Sequence, residues 1–317
     1  MSILSQLIFV LLIASAALFF IKSILRLKFN ITLGKKISDV QNKGDRWKNV
    51  FFLAFGQRKM FQRPLLAVMH LVVYAGFLIV NIELLEIIVD GIFGTHRAFQ
   101  PLMGGFYTFL INVFEFFAVS IFLVCGVFLW RRTIAKVERF QSAEMTKWPK
   151  LDGNLILIFE MVLMFALLSM NATDTLLVKN EQFSQSFLFS DMLMPLYSGL
   201  SISTTHLLER GFWWFHIIGI CFFANYVMYS KHLHIFLAFP TTYYASLKPQ
   251  GEMPNMPSVT NEVKIMMGMT NESQNDTTEV ITFGAKDVTD LSNNALLSAY
   301  SCTECGRCTS RCPANIT

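Results

Sequence analysis

Four cysteines crowd together near the end of the sequence and could bind metal. Cys302, Cys305, Cys308 and Cys312 all lie after residue 300 in a chain of 317, and Pro313 follows the last of them. Two-residue gaps let a tight loop direct three thiolates at three iron atoms of one cube, whereas the longer gap and the proline turn the fourth thiolate away. The spacing therefore predicts that these cysteines bind a [4Fe–4S] cluster.

Two other uses of these cysteines fit the sequence less well. Zinc sites usually combine two separated Cys or His pairs, and disulfides need an oxidising compartment. In ferredoxins that hold two clusters, the fourth cysteine of such a motif binds the other cluster. Either one cluster uses all four cysteines, or the protein continues past Thr317 and holds a second cluster. We favour the continuation.

Three of the six histidines, His70, His216 and His234, lie within long apolar segments. On one continuous helix, the 18-residue separation places His216 and His234 on the same face about 27 Å apart. His70 and His234 then lie at equal depth near one side of the membrane, as the two axial ligands of a b-type haem must. The pattern predicts haem between His70 and His234. The simpler alternative is that each histidine bridges helices by hydrogen bonds.

The composition is that of a membrane protein. Hydrophobic residues make up 53% of the chain and charged residues 15%, below the share of about a quarter charged in soluble domains. We predict an all-α integral membrane fold with five transmembrane helices, because five apolar segments are long enough to cross a bilayer. They cover residues 3–21, 65–89, 102–130, 155–177 and 211–240. Residues 183–200 are also apolar, but Asp191 and Pro195 interrupt them, so we expect a surface helix there.

Positive charge is distributed unequally between the loops. Of the 26 Lys and Arg residues, all but Arg97, Lys179 and Arg210 lie on one side of the predicted spans. The positive-inside rule therefore predicts the N-terminus outside and the C-terminus in the cytoplasm, in a bacterial inner membrane. The basic residues flank the spans and face anionic lipid, which argues against a nucleic-acid partner.

The sequence divides into three predicted regions. Residues 1–240 form the five-helix membrane cytochrome b domain. Residues 241–286, rich in Pro, Asn, Thr, Ser and Met, form a cytoplasmic linker with a short strand at 278–283. Residues 287–317 combine a weak helical pattern at 287–300 with the cysteine motif, and we expect them to begin a longer ferredoxin-like domain.

Several carboxylates fall in the outer half of the predicted spans. Glu83, Glu86 and Asp90 lie in the second span, and Glu115 lies in the third. Ionisable groups at such depth are costly and are candidates for function. Because quinone chemistry moves protons together with electrons, Glu83 and Glu115 are our candidates for proton transfer beside a quinone. Glu86 and Asp90 are expected to reach solvent at the interface.

The sequence around the histidines resembles a known family. His216 with residues 230–235 looks like the last span of the nitrate reductase gamma subunit family, and residues 57–77, which include His70, resemble the second span of its relatives. These relatives include the membrane subunit of heterodisulfide reductase and the electron-transfer-flavoprotein:menaquinone oxidoreductases, which join such a domain to an iron–sulfur region. The resemblance implies a five-helix domain that holds two b haems and exchanges electrons with menaquinone or another quinone.

One position departs from the family pattern. The family carries a second histidine in the second span, ten residues after the first, but Val80 stands ten residues after His70. The outer haem near His216 therefore lacks its expected ligand. Either His96 in the following loop supplies that ligand, or the outer site is empty.

Together these features predict a membrane-anchored respiratory electron-transfer subunit, part of a longer or multi-subunit quinone-linked oxidoreductase. Electrons would pass between a cytoplasmic iron–sulfur protein or flavoprotein and the quinone pool, through the cluster and the haem. The alternative is a membrane transporter or scaffold with an iron–sulfur sensory region, although the sequence has no internal repeat of the kind that many transporters have. A zinc-binding membrane adaptor is a third possibility.

Overall fold

The computed structural model describes residues 2–36, 41–142, 145–178, 187–249, 252, 255–269, 284–306, 308–309 and 312–314. Regular structure in these ranges is helical, apart from an isolated bridge between Lys35 and Ser292. The predicted all-α class is confirmed.

The helices follow one another along the chain as α1 (Ile3–Thr32), α2 (Lys43–Asn49), α3 (Pro64–Phe93), α4 (Gln100–Met103), α5 (Gly105–Thr133), α6 (Trp148–Val178), α7 (Met194–Tyr197), α8 (Ile202–Val227), α9 (His234–Tyr244), α10 (Pro257–Met266) and α11 (Asn293–Tyr300). A π-helical segment spans Val50–Phe55. Turns of 3-10 helix occupy Met60–Gln62, Glu138–Phe140, Ser190–Leu193, Lys231–Leu233 and Val288–Asp290.

Five of these helices, α1, α3, α5, α6 and α8, are long and apolar enough to cross a membrane, with 26 to 31 residues each. Their length and composition confirm the predicted number of long apolar helices and are consistent with a multi-pass membrane protein. α1 continues to Thr32, well beyond its predicted end at residue 21, because no glycine or proline interrupts the chain before Gly34.

The chain groups into two compact units. The first unit contains Met1–Ile24, Gln57–Leu233 and Cys302–Thr317, and the second contains Leu25–Gly56 and His234–Ser301. The predicted domain boundaries at residues 240 and 286 are a separate division of the sequence and remain predictions.

Within the first unit, α6 is the most buried of the long helices and packs against both α5 and α8. Leu163 and Leu167 of α6 share an apolar core with Ile121 of α5 and Ile217 of α8. Gly219 lets α8 approach α6 closely, because a Cβ atom there would lie 2.7 Å from Cδ2 of Leu163. Small residues at helix contacts are typical of membrane proteins, where close van der Waals packing replaces the hydrophobic driving force.

Within the second unit, side chains from the first half of the sequence bind the backbone near the end of α9. Arg46 of α2 donates from Nη1 to the carbonyl oxygens of Tyr243, at 2.9 Å, and Ala245, at 3.1 Å. Asn30 in α1 donates from Nδ2 to the hydroxyl of Tyr300, at 2.9 Å. These bonds connect α1 and α2 to the helices that precede the cysteine motif.

The predicted fifth span, residues 211–240, consists of two helices with a break between them. α8 ends before a 3-10 turn, and His234 is the first residue of α9. The backbone amide of Lys231 donates to Oδ2 of Asp152 in α6 at 3.0 Å. This amide therefore bonds to a side chain of another helix. The prediction that His216 and His234 share one face of a continuous helix is therefore wrong.

Three further predicted segments have different outcomes. Residues 187–200 contain a 3-10 turn and α7 rather than one surface helix, and residues 183–186 lie outside the described residues. The helical pattern at 287–300 is confirmed by α11 and the 3-10 turn before it. The predicted strand at 278–283 lies outside the described residues.

Candidate functional site

The first unit has two chemically different ends. We call the end that contains Pro64, Thr133 and Trp148 the basic end, and the end that contains Phe93, Gly105 and Val178 the acidic end. Basic residues and the cysteine motif gather at the basic end, whereas buried carboxylates gather at the acidic end.

Residues 302–306 of the cysteine motif form an irregular loop in the first unit. Glu304 and Gly306 have positive φ angles of 46° and 66°, and the Glu304 amide donates to Cys302 Sγ at 3.4 Å. The left-handed backbone at these two positions curls the chain around the sulfur. Gly306 also lies against the connection between α5 and α6, because a Cβ atom there would be 2.8 Å from the carbonyl oxygen of Arg139.

This loop has features that suit a [4Fe–4S] cluster. All four cysteines are described, and none forms a disulfide. Cys302 and Cys308 are exposed, whereas Cys305 and Cys312 are half-buried. Amide hydrogen bonds to cysteine sulfur, like the one to Cys302, are among the contacts that tune such clusters. The residues fit the cluster, and its four-cysteine ligand set remains a prediction.

Lys231 brings positive charge to the same loop. Its Nζ atom donates to the carbonyl oxygen of Pro149 at 2.6 Å and lies 3.9 Å from Oδ2 of Asp152. Burial lowers the pKa of Lys231, while the negative charges of Asp152, Glu304 and Cys305 oppose that shift.

His70 in α3 is half-buried and oriented by Gln57. His70 Nδ1 lies 3.0 Å from Gln57 Oε1. Because an amide oxygen can only accept, Nδ1 carries the proton and Nε2 carries the lone pair. Histidines that bind metal usually have such a partner on the other ring nitrogen, so this tautomer fits an axial haem ligand.

His234, the predicted partner of His70, is the first residue of α9 and belongs to the second unit, whereas His70 belongs to the first. Their shared haem therefore remains a prediction from the sequence.

His216 and His96, the residues predicted at the outer haem, make different contacts. His216 is 3% exposed, and nothing in the described part of the chain bonds to its Nδ1 atom. The His96 side chain is half-exposed, and its Nε2 atom lies 3.3 Å from Asp174 Oδ1. His96 groups with Asp174 and Glu209, and Glu209 precedes His216 by two helical turns, about 10 Å along α8. The pairing of His96 with His216 stays a prediction.

Glu115 accepts hydrogen bonds at both carboxylate oxygens. The amide of Phe189 donates to Oε2 at 2.8 Å, and the Ser190 hydroxyl donates to Oε1. Asn171 of α6 donates to Oε1 at 3.3 Å. The carboxylate therefore holds the segment before α7 against α5 and α6, a structural role that the sequence analysis did not foresee.

Glu86 and Asp90 are buried, at 3% and 7% exposure, and the expectation that they reach solvent is wrong. The loop after α3 folds back and supplies donors to both carboxylates. Glu86 accepts from the Tyr107 hydroxyl at 2.7 Å and from the Phe99 amide at 2.9 Å, and Asp90 accepts from the Thr95 hydroxyl at 2.6 Å. Satisfied in this way, the two carboxylates fix the connection between α3 and α5.

Arg97 is a buried cation that the sequence analysis did not identify as a site residue. Its Nη2 atom donates to Asp174 Oδ2 at 3.0 Å and to Asn171 Oδ1 at 2.9 Å. Burial alone would lower the pKa of Arg97, but the combined interactions with Asp174, Tyr107 and Glu83 outweigh burial, and the pKa is raised. The available signal was a lone arginine in an outer loop together with an aspartate inside an apolar span.

A small cavity of about 30 Å³ lies at the acidic end, between α3, α6 and α8. Glu83 lines it and is 3% exposed, and no hydrogen-bond partner in the described ranges reaches either of its carboxylate oxygens. A cavity of this size holds one or two groups the size of water, so a quinone ring does not fit.

A larger, mostly apolar cleft of about 420 Å³ lies between α1 and α8. Phe19 of α1 and Phe222 of α8 line it, together with the polar side chains of Asn225 and Tyr229. Apolar walls with a few polar groups, in a space of this size, are typical of small-molecule sites. The carboxylates predicted to transfer protons do not line this cleft.

Two curated relatives are similar to this chain at low identity. The chain is 26% identical over 311 residues to the "Probable iron-sulfur-binding oxidoreductase FadF" of Bacillus subtilis (strain 168), a match that covers 98% of this chain and 40% of that protein. It is 24% identical over 276 residues to the "EtfAB:quinone oxidoreductase" of Syntrophomonas wolfei subsp. wolfei (strain DSM 2245B / Goettingen), which covers 83% of this chain and 34% of that protein. The chain thus spans two fifths or less of the length of these relatives. No protein-family model matches, and no solved structure matches significantly.

Proposed function

We propose that this chain is the membrane-anchored, electron-transferring part of a quinone-linked iron–sulfur oxidoreductase. The observation that carries the proposal is the cysteine motif at 302–312, joined in one chain to five long apolar helices. One relative is named an iron–sulfur-binding oxidoreductase and the other a quinone oxidoreductase, and both matches cover most of this chain. Other parts of a longer or multi-subunit enzyme would complete the reaction.

The four cysteines Cys302, Cys305, Cys308 and Cys312 would bind a [4Fe–4S] cluster through their thiolates. The amide of Glu304 and the left-handed backbone at Gly306 would keep the loop curled around it. When bound, such a cluster and a b haem each accept and release single electrons.

His70 and His234 are the proposed axial ligands of an inner b haem, and His216 is the proposed ligand of an outer one. The contact between Gln57 and His70 supports the first assignment, because it orients the ring and keeps the proton on Nδ1, as the partner of a metal-binding histidine usually does. The second assignment rests on the sequence, in which His216 lies within an apolar span. The pairing of His70 with His234 rests on the sequence and the family resemblance.

The cleft between α1 and α8 is the proposed site for menaquinone or another quinone. Its walls suit an apolar ring and isoprenoid tail, and Tyr229 is exposed beside it. The Tyr229 hydroxyl lies 3.4 Å from Ser23 Oγ. A hydroxyl can serve as both donor and acceptor, so Tyr229 can hold a quinone carbonyl oxygen.

Glu83 is the proposed proton-transfer group, because its carboxylate faces a cavity that can hold water. Glu115 is the weaker of the two candidates, because donors already occupy both of its oxygens. We therefore assign Glu115 the role of positioning the segment before α7.

We also propose that the basic end faces the cytoplasm of a bacterial inner membrane. A soluble iron–sulfur protein or flavoprotein would then reach the cysteine loop from that side. The excess of Lys and Arg at this end of the helices supports the orientation.

Cluster analysis of the full chain tests the proposal. After anaerobic purification in detergent, we expect about four iron and four sulfide per chain for each cluster, with the electron paramagnetic resonance signal of a reduced [4Fe–4S] centre. Cys305→Ser should remove most of this iron, whereas the matched control Cys221→Ser, within α8, should keep it. Stoichiometric zinc in place of iron would contradict the proposal and indicate an adaptor.

Haem is measured in the same preparation. Reduced-minus-oxidised spectra should show a b-haem band that His70→Ala and His234→Ala each weaken. Full haem content in both variants would overturn the inner-haem assignment while leaving the cluster assignment intact.

A further inference from the structure

We infer that His96, Asp174 and Glu209 form a binding site for a divalent transition-metal ion such as Zn²⁺ or Mn²⁺ at the acidic end of the first unit. The three residues come from the loop after α3, from the end of α6 and from the start of α8. One ligand atom from each lies within 4.8 Å of the other two, and His96 Nε2 is 3.3 Å from Asp174 Oδ1. Small side-chain movements would place each of these atoms about 2.0–2.2 Å from a shared ion, the distance that zinc requires of its ligands.

The adjoining cavity supplies an independent observation. Its volume of about 30 Å³ suits an ion with a bound water, and Glu83 also lines it. Glu83 is almost completely buried, yet none of the described donors reaches its carboxylate oxygens. A buried carboxylate without a partner is costly, and a water on a metal ion is the donor that Glu83 lacks.

The excess of negative charge around the cavity also favours a bound cation. Its lining contains five carboxylates and two guanidinium groups, namely Glu83, Glu86, Asp90, Asp174 and Glu209 with Arg97 and Arg210. Leaving Glu83 aside, the other four carboxylates exceed the two guanidinium groups by two negative charges in a buried setting. A divalent ion would neutralise both.

The two arginines leave the proposed ligand atoms able to bind. Arg97 donates to Oδ2 of Asp174, so Oδ1, the atom nearest His96, is on the other side of the carboxylate. Arg210 bonds to both oxygens of Glu209, and each carboxylate oxygen has a second lone pair for a metal ion. Hydrogen bonds from outer residues to ligating carboxylates are the usual means by which proteins orient them.

The donor set selects the class of ion. One imidazole with two carboxylates suits zinc, manganese or iron, whereas Mg²⁺ and Ca²⁺ prefer oxygen ligands alone. Three protein ligands leave a coordination position for water. The His96 side chain is 51% exposed, so an ion can exchange with solution at this position.

The inference uses none of the cysteines and neither of the proposed inner-haem ligands, and it shares only Glu83 with the proposed proton transfer. It does compete with the outer-haem prediction, because His96 Nε2 cannot bind both a haem iron and this ion. The contacts with two carboxylates favour the ion for His96.

A titration with Mn²⁺ tests the site in the full chain. The protein is purified in detergent with its cluster intact and treated with a chelator that is then removed. The resonance signal of free Mn²⁺ reports binding. We expect one saturable Mn²⁺ site per chain that Zn²⁺ displaces. His96→Asn and Glu209→Gln should each weaken it at least about tenfold. The matched control is His206→Asn, which changes an exposed histidine on α8, the helix that carries Glu209. This variant should bind Mn²⁺ as the unaltered protein does.

Two results would overturn the inference. One is that His96→Asn and Glu209→Gln bind Mn²⁺ and Zn²⁺ as tightly as the unaltered chain does, or that none of the three proteins binds either ion. The other is loss of a b haem in His96→Asn, which would assign this histidine to the outer haem. Neither substitution should unfold the protein, because His96 is half-exposed and Glu209→Gln preserves the shape of the side chain. Circular dichroism checks that each variant is folded.

Discussion

The side chain of Glu115 accepts hydrogen bonds at both carboxylate oxygens, whereas no donor in the described residues reaches either oxygen of Glu83. In the sequence the two glutamates were equivalent candidates, since each lies in the outer half of a predicted apolar span. What distinguishes them is the set of donors brought by the loop after α6 and by α6 itself. Burial without donors makes a carboxylate a functional candidate, and burial with donors makes it a structural anchor.

Replacing each glutamate by leucine should therefore have opposite effects on stability. Glu115→Leu leaves the Phe189 amide and the Ser190 hydroxyl buried without an acceptor, which costs about 1–3 kcal/mol for each orphaned donor. Glu83→Leu removes a carboxylate that no described donor satisfies, so the free energy of unfolding should stay the same or rise. Thermal unfolding in detergent after chelator treatment measures both. Equal losses of stability in the two variants would contradict the assignment of roles.

At the scale of whole helices, glycines set how closely α1 and α3 approach. Gly91 of α3 faces the ring of Phe9, and a Cβ atom there would lie 2.4 Å from two of the ring carbons. Phe9 is fully buried, and its ring centroid is 5.4 Å from that of Trp213. The ring has little space into which to move, so this contact fixes three long helices against one another.

Gly91→Ala should therefore destabilise the protein by about 1–3 kcal/mol, the usual cost of overpacking a filled core. The matched control is Gly105→Ala at the start of α5, where a Cβ atom would have no neighbour within 4 Å. That control should change the free energy of unfolding by less than about 0.5 kcal/mol. Unfolding in detergent compares the two variants, and a Gly91→Ala protein as stable as the control would show that α1 does not pack here.

The elements that the sequence predicts well are those that depend on local composition. Apolar runs specify five long helices, because a bilayer requires each span to satisfy its own backbone. The break between α8 and α9 was missed, because it depends on Asp152 bonding to the amide of Lys231, 79 residues later. The group of His96, Asp174 and Glu209 was missed for the same reason. Its members are dispersed along the chain and meet only after α3, α6 and α8 pack.

For the molecule as a whole, the distribution of charge predicts its orientation across the membrane. In the first unit, the cysteine loop and basic residues of the connection between α5 and α6, such as Lys136 and Arg139, lie toward the basic end, while the buried carboxylate group lies at the acidic end. Residues that bind iron and sulfide would then face the compartment in which thiols stay reduced. Quinone and haem would lie in the membrane between the two ends.

Reporter fusions test this orientation. Green fluorescent protein joined after residue 317 should fluoresce in bacterial cells, and alkaline phosphatase at the same position should be inactive, because the positive-inside rule places that end in the cytoplasm. Alkaline phosphatase joined after residue 200, before α8, should be active. The reverse pattern at both positions would contradict the proposed topology.

The partners of the buried carboxylates imply an order of events during synthesis in the membrane. Glu86 and Asp90 find donors 5 to 21 residues away, in the loop after α3 and at the start of α5. Arg97 instead binds Asn171 and Asp174, more than 70 residues later in the chain. As the polypeptide emerges, the hairpin of α3 and α5 can satisfy Glu86 and Asp90 at once, but Arg97 must wait until α6 is inserted. Insertion of α6 is thus the step at which the partners of Arg97 first become available.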